Sequence, residues 1–490
     1  MSKQPNILFI LTDQQRLSAV SCYGETPCRT PNIDRLAADG IRFSTAYAAQ
    51  PVCSPERGTL MTGQYSHAHG ITANVGELGC TMHHLPPSPH LLSNRLREAG
   101  YQLGYSGKWH LCPLNDTFLG HPGQISLPRD FGFEGQNIIG NSFEAFQCED
   151  YRNYLKERGF EHKLKPWTHD TDPFRPAGEL DGPVESTVAE FVTENTLGLI
   201  DQFAADSDPF FIWHNFWGPH EPYYVPSEYF DLYRDVPIPP WGNFHWPARQ
   251  IPGPHQVKLT SRQERLSWKD WEMLIRHYYA FATMIDERIG RILQRLRERN
   301  LLEDTLIIFA SDHGDCLGSH GGLFDKGWHH FEESHRIPLI LRLPGARHAG
   351  KVQNEFASFV DLYPTILEAA GLTPEADKIH GQSLLPLIEG QTTAWRDCVV
   401  TEFGGVNNTA TTQRTLRWKH FKFGFNIDHE DELYDLEKDP YETRNLLHHP
   451  AYQEVLMTLR LKLESWMDET GDAALFRYRH QLRYHQATNY

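Results

Sequence analysis

Continuous apolar runs, each ending in a small polar cluster, set the pattern of this chain. The first is Asn6-Ile7-Leu8-Phe9-Ile10-Leu11, which gives way to Thr12-Asp13-Gln14-Gln15-Arg16. A run without polar alternation fits a strand buried on both faces of a parallel sheet. In such sheets ligands gather at the carboxyl ends of strands, which places Asp13 and Gln14 where a site would form. The pattern returns at residues 210–214, ahead of a loop holding His220 between two prolines. It returns again at Thr305-Leu306-Ile307-Ile308-Phe309-Ala310, which ends in Ser311-Asp312-His313-Gly314. Residues 101–106 form a further strand candidate, with Lys108 and His110 just past its end.

Helical periods separate these runs. Residues 30–40 read as a short helix closed by Gly40, and residues 90–99 as a second amphipathic helix. The spacing of Ile285, Ile289, Ile292, Leu293 and Leu296, with arginines opposite, predicts a long core-packing helix over residues 270–300. Residues 359–367 begin the last helix of the main body. Alternating strands and helices of this kind predict an α/β fold. Beyond about residue 385 the texture changes to short alternating segments at 398–403 and 415–425, with a helical stretch over 452–470. Residues 112–180 and 225–265 show no sustained period, and loops of that length read as walls that choose a substrate.

The candidate chemistry centres on Pro51-Val52-Cys53-Ser54-Pro55-Glu56-Arg57-Gly58-Thr59-Leu60-Met61-Thr62-Gly63. Ser54 reads as an N-cap and Pro55 as the first helical residue, so Cys53 would sit just ahead of a helix N-terminus. The free amides of that turn favour an anion, and Arg57 follows on the same turn.

Cys53-Ser54-Pro55-Glu56-Arg57, continuing into Leu60, Thr62 and Gly63, resembles the signature of type I sulfatases in the alkaline phosphatase superfamily. Gly104-Tyr105-Ser106-Gly107-Lys108-Trp109-His110 resembles a second stretch of that family, and further matches lie near Asp13, His220, Asp312 and Lys326. The resemblance implies a large, mixed, mostly parallel sheet sandwiched by helices over residues 1–385. It also implies a small C-terminal α+β subdomain over 386–490, with an antiparallel sheet and a helix. Cys53 would be oxidised to formylglycine by a maturation enzyme. Asp13, Gln14, Asp312 and His313, with residue 53, would hold one divalent cation. The carboxylate and amide donors favour a hard ion, while the histidine admits Mn²⁺ or Zn²⁺ as well. The resemblance implies Ca²⁺, with Mn²⁺ or Mg²⁺ as alternatives; Gln14, where most members carry an acid, leaves the choice open.

Arg57 would orient the nucleophile, Lys108 and Lys326 clamp the sulfate oxygens, His220 protonate the leaving alcohol and His110 act as base. A hydrated aldehyde carries two hydroxyls on one carbon. One attacks sulfur and expels the alcohol; the other, deprotonated, lets the adduct collapse and release sulfate.

Composition narrows the partners. The chain has 490 residues, 40% of them apolar, which is enough for a large core, and a formal charge of −17. That charge argues against nucleic acid or an anionic membrane as partner, and it requires an anion site to carry its own dense positive charge. No run approaches the ~18 apolar residues needed to span a bilayer, and Met1-Ser2-Lys3-Gln4-Pro5 lacks a leader pattern, so a cytoplasmic protein is expected, or a periplasmic or secreted one where a leader has been removed. The eight cysteines show no metal-finger spacing. The expected substrate is a sulfate monoester, of a carbohydrate or an aryl alcohol. One rival is a phosphonate monoester or phosphodiester hydrolase of the same superfamily, which shares the Asp-Gln and Asp-His pairs but replaces the Gly-Lys-Trp-His element. Another is a binding protein with Cys53 unmodified. Oligomeric state has no sequence signal.

Overall fold

The structure, a computed structural model, describes residues 4–113, 117–118, 121–122, 126–138, 140, 148–161, 163–167, 176–246, 266–327, 329–391, 394–407 and 409–488. The apolar runs become the strands of one eight-stranded sheet. In chain order these are β1 (Asn6–Asp13), β2 (Ile41–Phe43), β3 (Gln102–Gly107), β4 (Glu134–Gly135), β5 (Phe210–Pro219), β6 (Thr305–Ser311), β7 (Leu339–Arg342) and β8 (Lys351–Gln353). Their spatial order is β8-β2-β7-β6-β1-β5-β3-β4. β1 runs parallel to both β5 and β6, and β7 alone pairs antiparallel with its two neighbours, so the sheet is mixed and mostly parallel. β1, β5 and β6 are buried along their whole length, which is why they read as unbroken apolar runs.

The helices used below are α1 (Pro31–Ala38), α2 (Cys53–Thr62), α3 (Leu92–Glu98), α4 (Val188–Phe203), α5 (Trp268–Glu298) and α6 (Leu362–Ala369). Successive side chains of β1 point to opposite faces, and each face has its own core. Leu8 and Ile10 pack with residues of α4 and α5, such as Val192 and Ile289. Ile7, Phe9 and Leu11 pack on the other face with residues of α2, α3 and α6, such as Leu60, Leu96 and Ile366. A one-residue slip of β1 would exchange these sets, each side chain being worth roughly 1.5–3 kcal/mol of burial, so the register is strongly fixed.

Local chemistry sets the helix ends. α5 starts at Trp268, two residues before the expected start, because Ser267 and Asp270 form a capping box. On the same helix the buried Asp286 carboxylate accepts the backbone N–H groups of Asn32 and Ile33, closing the exposed start of α1. Gly40 does not cap α1 in a left-handed conformation. It is required by close approach, since a Cβ there would lie 2.6 Å from the Leu341 carbonyl oxygen.

The C-terminal sheet is antiparallel, with β9 (Cys398–Val406), β10 (Thr409–Trp418), β11 (Phe421–Asn426) and β12 (Glu432–Asp435) adjacent in chain order. α7 (Gln453–Glu469) lays Leu456, Leu459, Leu463 and Met467 on it. The boundary expected at 385 falls at the first residue of the short helix Leu385–Ile388, whose Leu387 and Ile388 still pack in the main core. β9 reaches back to the segment ahead of α2. Thr401 Oγ1 donates to the Ala48 carbonyl at 2.8 Å, Glu402 N donates to that of Ala49 at 2.7 Å, and Val52 packs with Phe403 and Val406.

The aperiodic stretches are not all loop. They contain the helix Glu149–Arg158 and a three-stranded sheet of Lys163–Pro166, Ala177–Asp181 and Tyr223–Pro226. These elements are short, and the helix and the strand Lys163–Pro166 are largely exposed, so no apolar period marks them. Within the expected walls, residues 114–116, 119–120, 123–125, 139, 141–147, 162, 168–175 and 247–265 lie outside the described residues. No helix among the described residues is long and apolar enough to cross a membrane.

Candidate active site

Three strand ends and one helix start converge on a single buried point. β1 delivers Asp13 and Gln14, β6 delivers Asp312 and His313, β3 delivers Lys108, and α2 opens on Cys53. Cys53 Sγ lies 3.6 Å from Asp13 Oδ1 and 3.4 Å from His313 Nε2. His313 Nε2 is 3.8 Å from Asp13 Oδ1 and 3.6 Å from Asp312 Oδ1. One ligand atom from each of Asp13, Cys53, Asp312 and His313 lies within 4.8 Å of the others, and all four residues are buried.

That donor set fits a divalent cation. The buried Asp13 and Asp312 carboxylates both approach His313 Nε2, and the His313 Nδ1–H is directed at the Gly314 carbonyl at 2.9 Å, which leaves Nε2 as a lone-pair donor. Gln14 sits beside them in a left-handed conformation, with φ 64° and its backbone N–H donating to Asp312 Oδ1 at 3.0 Å. Its side-chain oxygen accepts from Lys326 Nζ at 2.9 Å.

The start of α2 differs in detail from the expected one. Val52 is the N-cap and Cys53 the first helical residue. Ser54 does not cap the helix, because its hydroxyl donates to the His110 carbonyl at 2.7 Å and accepts from Val75 N at 3.2 Å. Cys53 therefore lies in the first turn, where the aligned dipoles still favour negative charge.

Arg57 is fully buried and braced by the chain around it. It donates to the Lys108 carbonyl at 2.8 Å and to Asn215 Oδ1 at 2.7 Å, and approaches Asp312 Oδ2 at 3.4 Å. Gly107 lets the ends of β3 and β5, which carry Lys108 and Asn215, lie against each other. Its φ is +92°, and a Cβ would lie 1.8 Å from the Asn215 carbonyl oxygen.

Lys108 Nζ pairs with Asp13 Oδ2. Burial alone would raise the Asp13 carboxyl, but Lys108 and the surrounding cations hold it well below the usual range. Burial would likewise lower Lys108, but Asp13 keeps it above its ordinary value. Burial, with Asp13, pushes the Cys53 thiol up to about 12.

His220 and Lys326 meet at 2.8 Å between Nε2 and Nζ. Burial, then the Lys326 charge, pushes His220 down to about 3. Burial would lower Lys326, but Asp325, 3.0 Å from its Nζ, and the other negative groups around it together raise the ammonium well above its ordinary value. The proton in this pair therefore rests on Lys326, which donates it to the His220 ring. His110 is buried with φ 55° and, among the described residues, no hydrogen-bond partner for Nδ1, and burial and Lys108 keep it well below its ordinary pKa.

The sequence did not mark Asn215, Glu221, Asp315 or Asp325 as site residues. Asp315 Oδ2 accepts from Gln14 Nε2 at 2.6 Å and from the Tyr223 hydroxyl at 3.0 Å. Glu221 Oε2 lies 3.2 Å from Gln14 Nε2. Asn215 carried one usable signal, its place at the end of an apolar run.

The family described as Sulfatase matches residues 5–372, and that described as N-sulphoglucosamine sulphohydrolase, C-terminal, matches residues 318–469. The N-acetylglucosamine-6-O-sulfatase of Bacteroides thetaiotaomicron is 30% identical over 508 aligned residues, covering 96% of this chain and 88% of that protein. The arylsulfatase of Clostridium perfringens is 31% identical over 476 residues, covering 93% of each. The crystal structure of the phosphonate monoester hydrolase of Agrobacterium radiobacter matches with a TM-score of 0.77 at 26% identity, covering 95% of this chain and 96% of that one. Because the match spans the strand ends and the helix that build this pocket, the chain belongs to the sulfatase family, the sulfuric ester hydrolases of the alkaline phosphatase superfamily.

Proposed function

We propose that this enzyme hydrolyses a sulfate monoester of a carbohydrate, using formylglycine formed from Cys53 and one divalent cation, Ca²⁺ in first place. The observation that carries the reading is the position of Cys53 Sγ, 3.4 Å from His313 Nε2 and 3.6 Å from Asp13 Oδ1 in the first turn of α2. When present, the cation supplies Lewis-acid polarisation and the formylglycine hydrate supplies a hydroxyl nucleophile.

The remaining work falls to the chain's own side chains. Arg57, fixed by Asn215 and the Lys108 carbonyl, holds the residue-53 side chain in line. Lys108 and Lys326 concentrate positive charge where the sulfuryl oxygens lie, offsetting the negative field of the whole molecule. His220 Nε2 shares the Lys326 proton, so the pair delivers it to the leaving oxygen. His110, unprotonated and with Nδ1 unpartnered among the described residues, takes a proton as the base for sulfate release. The N-acetylglucosamine-6-O-sulfatase relative supports a sulfated amino sugar as the first substrate to try.

Phosphonate monoester hydrolysis is the second reading, favoured by the structural match to such an enzyme. Parallel assays with a panel of sulfated sugars, an aryl sulfate and a phenyl phosphonate decide between them. Faster turnover of the phosphonate would reject the sulfatase reading.

A further inference from the structure

Glu221 has no part in the chemistry proposed above, yet it touches two of the groups on which that chemistry depends. Its Oε2 lies 3.1 Å from His220 Nδ1 and 3.2 Å from Gln14 Nε2. Its backbone carbonyl also accepts from His220 Nδ1 at 2.8 Å. The ring is thus gripped at Nδ1 by residue 221, which turns Nε2 onto Lys326.

The Gln14 amide is held in the same way. Its two N–H groups have two acceptors, Glu221 Oε2 and Asp315 Oδ2, so its oxygen is left pointing at Lys326 Nζ. An amide, unlike a carboxylate, needs acceptors on one side to fix which end faces the pocket. Gln14 N in turn holds Asp312 Oδ1, so a loose Gln14 side chain would loosen a cation ligand as well. Groups that orient ligands typically matter by about 10–100-fold in metal affinity or activity.

We infer that Glu221 is a positioning residue whose carboxylate holds the Gln14 amide and packs beside the His220 ring that its backbone carbonyl anchors, coupling the cation pocket to the leaving-group proton. Burial, then Asp325, pushes its carboxyl well up. Oε2 accepts from Gln14 and stays beside the His220 ring with or without a proton on Oε1, so the role is one of position rather than charge. The inference rests on the proposed hydrolase reading for His220 but adds a cation-affinity consequence that needs no turnover.

The test compares Glu221→Met, which keeps the length and loses the acceptor, with Glu221→Gln, which keeps an oxygen; Glu221→Ala stands in if the methionine variant melts early. In a Cys53→Ala background, Ca²⁺ and Mn²⁺ titrations by calorimetry are expected to show about tenfold weaker binding for Glu221→Met and near-parental binding for Glu221→Gln. In the active enzyme, Glu221→Met should lower kcat on poor leaving groups more than on an activated aryl sulfate, with KM little changed. That leaving-group effect should vanish in a His220→Ala background, while the cation effect persists. Unchanged cation affinity and leaving-group dependence in Glu221→Met would overturn the inference, as would equal losses for the methionine and glutamine variants. A wild-type enzyme that turns over no sulfate ester rejects the functional reading instead, and the calorimetry still decides this one.

Discussion

His220 is held at Nδ1 by residue 221 and at Nε2 by Lys326, so it has one orientation in which to work. Replacing it with alanine should slow esters with poor leaving groups by about 10²–10⁴-fold and an activated aryl ester far less. Equal losses on both would remove it from the proton path. Arg57 sits in a comparably determined place, and lysine cannot reach the Lys108 carbonyl and Asn215 Oδ1 together. Arg57→Lys is therefore expected to cost about a hundredfold or more in kcat with the fold intact, checked by circular dichroism and single-turnover kinetics. The residues with charge or an unusual neighbour, such as Cys53, Asp13, Asp312 and Lys326, were readable in the sequence. Asn215, Glu221 and Asp315 were not, because their partners lie 158, 207 and 301 positions away and only the fold joins them.

At the scale of elements, the buried strands carry the site and were the most legible part of the chain. β1, β5 and β6 announce themselves because both faces are covered, so every position is apolar until the strand ends. Helix ends were less legible. Ser54-Pro55 looks like a start, yet the Ser54 hydroxyl finds a stronger claim in the His110 carbonyl, and the helix begins two residues earlier. The short strands Lys163–Pro166 and Ala177–Asp181 escaped because neither builds a core of its own. The close pairing of β3 and β5 at Gly107 and Asn215 makes a sharp prediction. Gly107→Ala drives a Cβ into the Asn215 carbonyl at a φ that alanine avoids, and should cost more than about 3 kcal/mol in urea unfolding. A loss under about 1 kcal/mol would show that the two strand ends can separate without harm.

For the whole molecule, the contrast between a net charge of −17 and a pocket built around Arg57, Lys108 and Lys326 means that binding an anion depends on local charge. The two parts of the chain are joined by a second ionic cluster. His67 Nδ1 meets Glu402 Oε1 at 2.6 Å, with Arg414 shared between Glu402 and Asp472, and His380 stacked 5.6 Å from the His67 ring. Burial would lower His67, but Glu402 overcomes it and raises the imidazole above its ordinary value. A raised histidine stabilises the fold fully below its unfolded pKa of about 6.5, and that stability is lost as pH rises through the folded pKa. Thermal melts of wild type and His67→Gln should therefore differ most below about pH 6.5 and converge above it; a difference that grows with pH would contradict the pairing.

The most direct measurement follows sulfate release from sulfated amino sugars by enzyme whose Cys53 peptide shows the loss of about 18 daltons that marks conversion to the aldehyde. Release is expected from converted enzyme with divalent cation, none from Cys53→Ala, and slower turnover of phenyl phosphonate alongside. Converted, cation-loaded enzyme that frees no sulfate from any ester, or an unconverted Cys53 chain that frees it equally fast, would contradict the proposed chemistry.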